Sequence, residues 1–238
     1  GGSPQGARPK ALVYRDPVSL EFSTQASDQH EAWLIKFPAQ QEHPEVCAIE
    51  AVYAECLRLC AIETPDTHFF NLPNGLTAFA SKRFDRQNGM RIPMQSLAAY
   101  TGADYKVPGS LDYRNFLRAT LMCTQDVRER LHAFKRAVFN VLFNNRDDHT
   151  KNFSFLMEKN GQWKLAPAYD VTFCEGPGGY HQMDIMGEAL NISRNDIHKL
   201  GTSEANLTTL EVDEIILAMR EIALQFSQIA QRLYPHQI

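Results

Sequence analysis

The chain has 238 residues, of which 44% are hydrophobic and 22% charged, an ordinary globular composition with length for one large domain or two lobes with substantial cores. Its net charge of −4 gives no global electrostatic case for direct nucleic-acid binding, and no apolar run approaches the ~18 residues that suggest a membrane-spanning helix. Five cysteines, an odd count without metal-ligand spacing, suit a reducing cytoplasm. No signal peptide is visible, although the chain opens on Gly1 rather than Met, as a chain continuing from a longer protein would.

In chain order, the opening from Gly1 to Ala11 is Gly-rich and basic and leads into a strand at Ala11–Tyr14. Glycine-rich turns let backbone N–H groups approach phosphates, with Arg8 or Lys10 able to add charge. Taken alone, Gly1-Gly2-Ser3 reads equally well as a flexible terminus. Trp33 to Pro38 is a short apolar strand with Lys36 near its end, either solvated on the outer face or reaching for phosphates. Helical spacing of Val46, Ile49, Val52, Tyr53, Cys56, Leu57 and Cys60 predicts a helix over 45–62 behind Pro44. Cys56 and Cys60 read as core packing on it, and Glu50 or Glu55 could pair with Lys36. Runs at 69–72 and 76–80 flank Pro73-Asn74-Gly75 as a hairpin. Ser81 to Arg86 then turns polar, as a hinge where backbone groups can meet an adenine edge and Asp85 can take ribose hydroxyls. Helical patterns follow at 113–121, 127–143, 194–199 and 210–233.

The stretch Asn144 to Asp170 organises the rest. Asp147 and Asn152 stand five residues apart, with His149 and Lys151 between them. Asn160-Gly161, between two apolar runs, is a strong hairpin signal of the type I′ kind. Counting back from that tip puts Asn152 opposite Tyr169, next to Asp170, across the ~4.8 Å spacing of neighbouring strands. An amide oxygen and a carboxylate side by side suit Mg²⁺ shared with phosphate oxygens. Asp147, in the polar loop before them, can accept a proton from a hydroxyl, which is the logic of a protein-kinase catalytic loop. An Asp-rich loop ahead of a hairpin can also be plain turn chemistry. The Gly-rich segment 173–180 after Asp170 reads as flexible and activation-loop-like.

Several motifs together resemble the HipA-type serine/threonine kinase toxins of bacterial toxin–antitoxin pairs, over nearly the whole chain. They are Ser3 to Lys10, Leu34-Ile35-Lys36-Phe37-Pro38, Arg83-Phe84-Asp85-Arg86, Asp147-Asp148-His149-Thr150-Lys151-Asn152, and Leu165-Ala166-Pro167-Ala168-Tyr169-Asp170. The resemblance implies an α+β, two-lobed, kinase-like fold, with a small β-rich lobe over 1–85 and a mostly helical lobe over 86–238. It implies Asp147 as catalytic base, Asn152 and Asp170 as Mg²⁺ ligands, and Lys36 on ATP phosphates. The expected nucleotide-binding set adds Gly6, Ala7, Lys82, Phe84, Asp85, His149 and Lys151. Ser3 matches the family's autophosphorylated serine, whose modification ejects the Gly-rich loop and silences the kinase. The resemblance further implies an aminoacyl-tRNA synthetase as protein substrate and a helix-turn-helix antitoxin that carries the DNA contacts. Full-length members have an extra subdomain before the Gly-rich loop, so the chain looks either like a shortened toxin whose missing piece is a separate small protein, a further expected partner, or like a fragment. A small-molecule kinase of the aminoglycoside or choline type and a nucleotide-binding pseudokinase scaffold are the competing readings.

Overall fold

The computed structural model describes residues 8–236. A five-stranded antiparallel sheet comes first. Its strands are β1 (Lys10–Arg15), β2 (Phe22–Ser23), β3 (Glu31–Lys36), β4 (Thr67–Asn71) and β5 (Thr77–Lys82), in the order β2-β1-β3-β5-β4. Successive strand residues face opposite sides of a sheet. Trp33 and Ile35 are therefore buried with Ala78 and Ala80 on one face, while Leu34 and Lys36 look to the other. Helix α1 (Val46–Leu59) lies on that second face and packs Cys47, Ala51 and Ala54 against Phe79. Cys56 is fully buried, as core packing requires. The helix is shorter at both ends than the periodicity suggests, and the chain turns away at Ala61, in the left-handed region at φ 56°. The expected β4–β5 hairpin forms around a 3-10 turn at Pro73–Gly75.

Beyond β5 come a small hairpin of β6 (Arg86–Gln87) and β7 (Met90–Arg91), then β8 (Met94–Ser96), α2 (Leu97–Thr101), α3 (Tyr113–Thr124) and α4 (Val127–Leu142). Strands β9 (Ser154–Met157) and β10 (Trp163–Leu165) join β8 in a three-stranded sheet ordered β10-β9-β8. Helices α5 (Arg194–Glu204), α6 (Thr209–Leu224) and α7 (Phe226–Leu233) close the described chain. Asp112 and Asp126 cap α3 and α4, and full capping boxes start α5 and α6, which satisfies backbone donors that a helix start leaves unpaired. The core is aromatic: Phe139 and Phe143 stack at 4.0 Å, and Phe116 meets Phe153 at 4.4 Å. Helix α5 crosses so closely that a Cβ on Gly201 would lie 2.6 Å from Val212. Among the described residues no helix is long and apolar enough to cross a membrane.

Two expectations are corrected. The single tail helix over 210–233 is two helices, broken at Gln225. The break lets Phe226 reach the Tyr53 ring at 5.5 Å, and Tyr234 reaches Phe69 at 4.7 Å. The β9–β10 turn is also not a two-residue type I′ turn. Of Asn160 and Gly161 only the glycine has positive φ, at 82°. Glu158 N–H bonds Gln162 O at 2.8 Å, and the Asn160 side chain accepts from Gln162 N–H at 3.0 Å. The loop is thus three residues long with glycine in the left-handed position. The register moves by one, with Met157 facing Trp163 and Phe155 facing Leu165.

Candidate active site

A cleft of about 310 Å³ opens beside the five-stranded sheet, lined among others by Leu34, Lys36, Phe79, Phe84, Tyr169 and Asp170. Lys36 is placed by the β1–β3 ladder, where it faces Lys10. Its ammonium contacts Glu50 of α1 at 2.7 Å and Asp170 at 2.5 Å. Glu50, not Glu55, is therefore the helix partner. Burial works against the lysine's charge, but Glu50 and then Asp170 outweigh it, and the pKa is raised. Asp170 has positive φ, at 53°. Burial pushes its carboxyl up, but Lys36, with Lys10 and His149 adding to it, brings the result below the ordinary value.

The loop between α4 and β9 supplies the next group. Asn152 Nδ2 donates to the main-chain oxygen of Asp147 at 2.6 Å, so the two residues five apart close one loop. His149 caps the short 3-10 turn at Thr150–Asn152 and puts Nε2 3.7 Å from the Asp147 carboxylate. The pKa of Asp147 is raised, first by burial, with Asp148 and Asp170 adding to it and His149 opposing. Asp147 and Asp170 are thus within electrostatic reach of each other. Asn152 lines a small cavity with Ala168 and Val171, residues on either side of Asp170. The shifted hairpin register does not disperse the group, because the ladder has already ended at Leu165 and Pro167 follows. Tyr169 then ties the two segments: its hydroxyl donates to Lys151 O at 2.6 Å and meets Ser154 Oγ at 2.6 Å.

Other expected residues are placed less directly. Lys151 lies with its ammonium 3.7 Å from the centroid of the Tyr105 ring. Lys82 N–H is taken by Asp66 O and Arg83 N–H by Ala32 O, so carbonyl groups and the Phe84 N–H are what this segment can offer an adenine. The Lys82 side chain pairs with Glu31 at 2.8 Å. Asp85 lines the cleft, but its carboxylate is held by Arg83 at 2.8 Å and Arg86 at 2.7 Å. Burial favours its neutral form, yet Arg83 and then Arg86 hold its pKa below the ordinary value. Arg8, expected as added charge for phosphates, is instead bound to Glu42 at 3.0 Å and Glu50 at 2.7 Å. Ser3, Gly6 and Ala7 lie outside the described residues. Segment 173–180, read as flexible from its glycines, bonds back to the loop: Cys174 N–H to Asn144 O at 3.0 Å, and Arg146 N–H to Cys174 O at 3.2 Å. At Gly176 a Cβ would lie 2.3 Å from Tyr180 O, so this residue must be glycine for the segment to fold there.

Sequence reasoning missed the support beneath Asp147. Asp148 is fully buried. It accepts from the Tyr113 hydroxyl at 2.5 Å, from Gln182 N–H at 2.8 Å, and pairs with His181 Nδ1 at 2.8 Å. Asn140 donates to the Tyr113 oxygen at 3.0 Å and accepts from Asn145 at 2.9 Å. This network fastens the loop to α3, to α4 and to the segment after Asp170. The only sequence sign was the doublet Asp147-Asp148, which does not say which acid turns inward.

The donors fit a hard divalent cation. Asp170 offers a carboxylate, and spending Asn152 Nδ2 on Asp147 leaves Oδ1 as that side chain's remaining polar atom. Glu42, Glu50 and Asp170 also outnumber the cations Lys36 and Arg8 that pair with them by one negative charge. Among the described residues no cluster of three or more His, Cys, Asp or Glu is arranged to hold a metal. A cation here would therefore draw further oxygens from phosphate and water, as Mg²⁺ commonly does.

Comparisons with known proteins bear on the family and the fold. A Haemophilus influenzae protein carried as a candidate kinase is 24% identical over 193 residues, covering 71% of this chain and 52% of its own length. HipA of Shewanella oneidensis, solved with HipB and operator DNA, superposes with a TM-score of 0.76 at 17% identity, covering all of this chain and 59% of HipA. The Helicobacter pylori proinflammatory kinase CtkA gives 0.51 at 16% identity, over 85% of this chain and 90% of CtkA. The chain thus spans little more than half of the first two. Residues 2–228 match the HipA-like C-terminal domain, and the chain belongs to that family.

Proposed function

We propose that the chain is the kinase component of a type II toxin–antitoxin system, transferring the γ-phosphoryl group of ATP to a Ser or Thr of a protein. The observation that carries this reading is Lys36 bridging Glu50 and Asp170 in the lining of the cleft, with Asp147 within electrostatic reach of Asp170. In this reading residues 1–85 form a small lobe and 86–238 a helical lobe, with ATP between them. Lys36 neutralises phosphate charge. Asp147 accepts the proton of the attacking hydroxyl, whose oxygen bonds phosphorus as the bond to the leaving ADP oxygen breaks. Positioning and charge neutralisation account for most of such catalysis. Asn152 and Asp170 would hold Mg²⁺, which supplies charge neutralisation for the phosphates. His149 and Lys151, beside Asp147, add cationic or donor groups on the phosphate side, Lys151 after leaving Tyr105.

The finer assignments rest on the family resemblance. They are an aminoacyl-tRNA synthetase as substrate, Ser3 as an inactivating autophosphorylation site, and a helix-turn-helix antitoxin as partner. The HipB–DNA complex of the Shewanella protein supports the last of these. A chain with net charge −4 fits a system in which the partner makes the DNA contacts. The test is to incubate purified protein with labelled ATP and a cell extract. A labelled protein band that vanishes in Lys36→Met supports the reading. A labelled metabolite points to a small-molecule kinase, and no transfer at all to a nucleotide-binding scaffold. Phosphosite mapping of the parent and Ser3→Ala tests the switch, which fails if Ser3 stays unmodified in active protein.

A further inference from the structure

Arg8 is the first described residue after the Gly-rich stretch and was expected to face phosphate. It does the opposite. Its side chain, 7% exposed, turns toward carboxylates. Nε meets both Glu42 oxygens, at 3.0 and 3.1 Å, and Nη1 meets Glu50 Oε2 at 2.7 Å. The other Glu50 oxygen, Oε1, holds Lys36. The 3% exposed Glu50 carboxylate is therefore divided between the lysine of β3 and the arginine that ends the Gly-rich stretch. The backbone fixes this choice. Phe37 N–H bonds Pro9 O at 3.0 Å, which extends the β1–β3 ladder back to Pro9. Glu42 is braced in turn, its Oε2 accepting from Ala39 N–H at 2.8 Å. An arginine fork reaches two carboxylates at once, which a lysine's single ammonium at the end of its stem does less well.

We propose that Arg8 is a positioning residue: by holding one oxygen of the buried Glu50 carboxylate it fixes how the other oxygen aligns Lys36. The inference rests on the kinase reading for its purpose, though not for its geometry. Releasing Arg8 would leave a buried Glu50 oxygen without its cation. That state is costly, and it would draw Lys36 more firmly away from any phosphate. Arg8 then matters to nucleotide binding without touching the nucleotide.

A double-mutant cycle separates this from direct phosphate contact. Binding of a non-hydrolysable ATP analogue with Mg²⁺ is measured for the parent, Arg8→Gln, Glu50→Gln and the double variant. Arg8→Gln is expected to weaken binding about tenfold, while the double variant is no weaker than Glu50→Gln alone, because both act through one contact. Arg8→Lys, which keeps the charge and covers poor folding of Arg8→Gln, should recover part of the loss. Binding by Arg8→Gln equal to the parent's overturns the proposal, as do losses that multiply in the double variant, the signature of an arginine acting on phosphate by itself. A second arm needs no nucleotide. Amide hydrogen exchange over residues 46–52 should be faster in Arg8→Gln than in the parent, and equal exchange overturns the coupling. Analogue binding without phosphoryl transfer by the parent would refute the kinase reading and leave this inference standing.

Discussion

Tyr113→Phe removes a single oxygen from the network beneath the Asp147 loop. Tyr113 is fully buried, and its hydroxyl donates to Asp148 Oδ2 at 2.5 Å while accepting from Asn140 Nδ2 at 3.0 Å. After the change Asp148 keeps His181 and Gln182 N–H, but the Asn140 donor loses that partner. A hydrogen bond to a charged acceptor contributes about 1.5–3 kcal/mol, and an orphaned buried polar group costs about 1–3 kcal/mol. The two losses share one network and do not add fully, so the expected destabilisation is about 2–4 kcal/mol. For a chain of this size each kcal/mol moves Tm by about 2–4 °C, which puts the fall at about 4–16 °C. Urea titration followed by circular dichroism and tryptophan fluorescence measures it. Because Asp148 adjoins Asp147 while Lys36 is held by Glu50 and Asp170, kcat should fall with little change in KM for ATP. A destabilisation below about 0.5 kcal/mol, the level of an ordinary surface change, would refute the claim that this hydroxyl braces the loop.

Asp147→Asn should leave nucleotide binding near the parent's and reduce phosphoryl transfer by about 10²–10⁴-fold, the usual worth of a positioned general base; a variant keeping more than about a tenth of the rate removes Asp147 from that role. Asp170→Asn and Asn152→Ala should each raise the Mg²⁺ concentration needed for half-maximal ATP binding, and unchanged Mg²⁺ dependence in both would dissolve the shared site. Burial pushes the Cys47 thiol up to about 11 and the Cys56 thiol up to about 12. Between about 8.5, the ordinary thiol value, and these values the native state keeps protons that the unfolded chain releases, so stability should fall as pH rises through that window. The same burial should make alkylation of both thiols slow at pH 8 in folded protein, and fast modification without unfolding would contradict it.

What the sequence made legible was whatever repeats along the chain or is set by local backbone chemistry. The apolar run of β3 and the 3.6-residue spacing of α1 and α4 are one-dimensional signals, and these elements stand within a few residues of their expected ends. The strand β8 and the helix α2 carry no such signal: at three and five residues they are too short for a period to show. The signs that did exist for α2, Ser96 capping its start and Gly102 its end, are too common to act on alone. The hairpin at Asn160-Gly161 was right in place and wrong in register, because a glycine in the left-handed position serves both a two-residue and a three-residue loop. In the candidate site, Asp147, Asn152 and Asp170 could be grouped from spacing, and Glu50 survived as one of two choices. Arg8's partners could not be read, since a buried arginine answers to carboxylates that only the fold brings near, Glu42 and Glu50 lying 34 and 42 residues on. Asp148 and His181 were out of reach for the same reason.

The charges gathered around Lys36 carry one further step on the kinase reading. A cluster of two cations and three carboxylates in a sheltered place is a poor way to gain stability, since such pairs seldom repay the cost of leaving water. It does make sense as a resting arrangement. Lys36 holds Asp170 at 2.5 Å, so a phosphate that claims the ammonium must displace that carboxylate. Asp170, deprived of the charge that lowers its pKa, then needs another cation, and the phosphate's own counterion is the one at hand. Glu50 keeps Lys36 in place during the exchange because its contact at 2.7 Å does not involve Asp170. On that reading the site should favour a phosphate that arrives with its divalent ion over a bare one. Binding of the same ATP analogue with and without Mg²⁺ measures that preference, and replacing Asp170 by Asn should erase most of it.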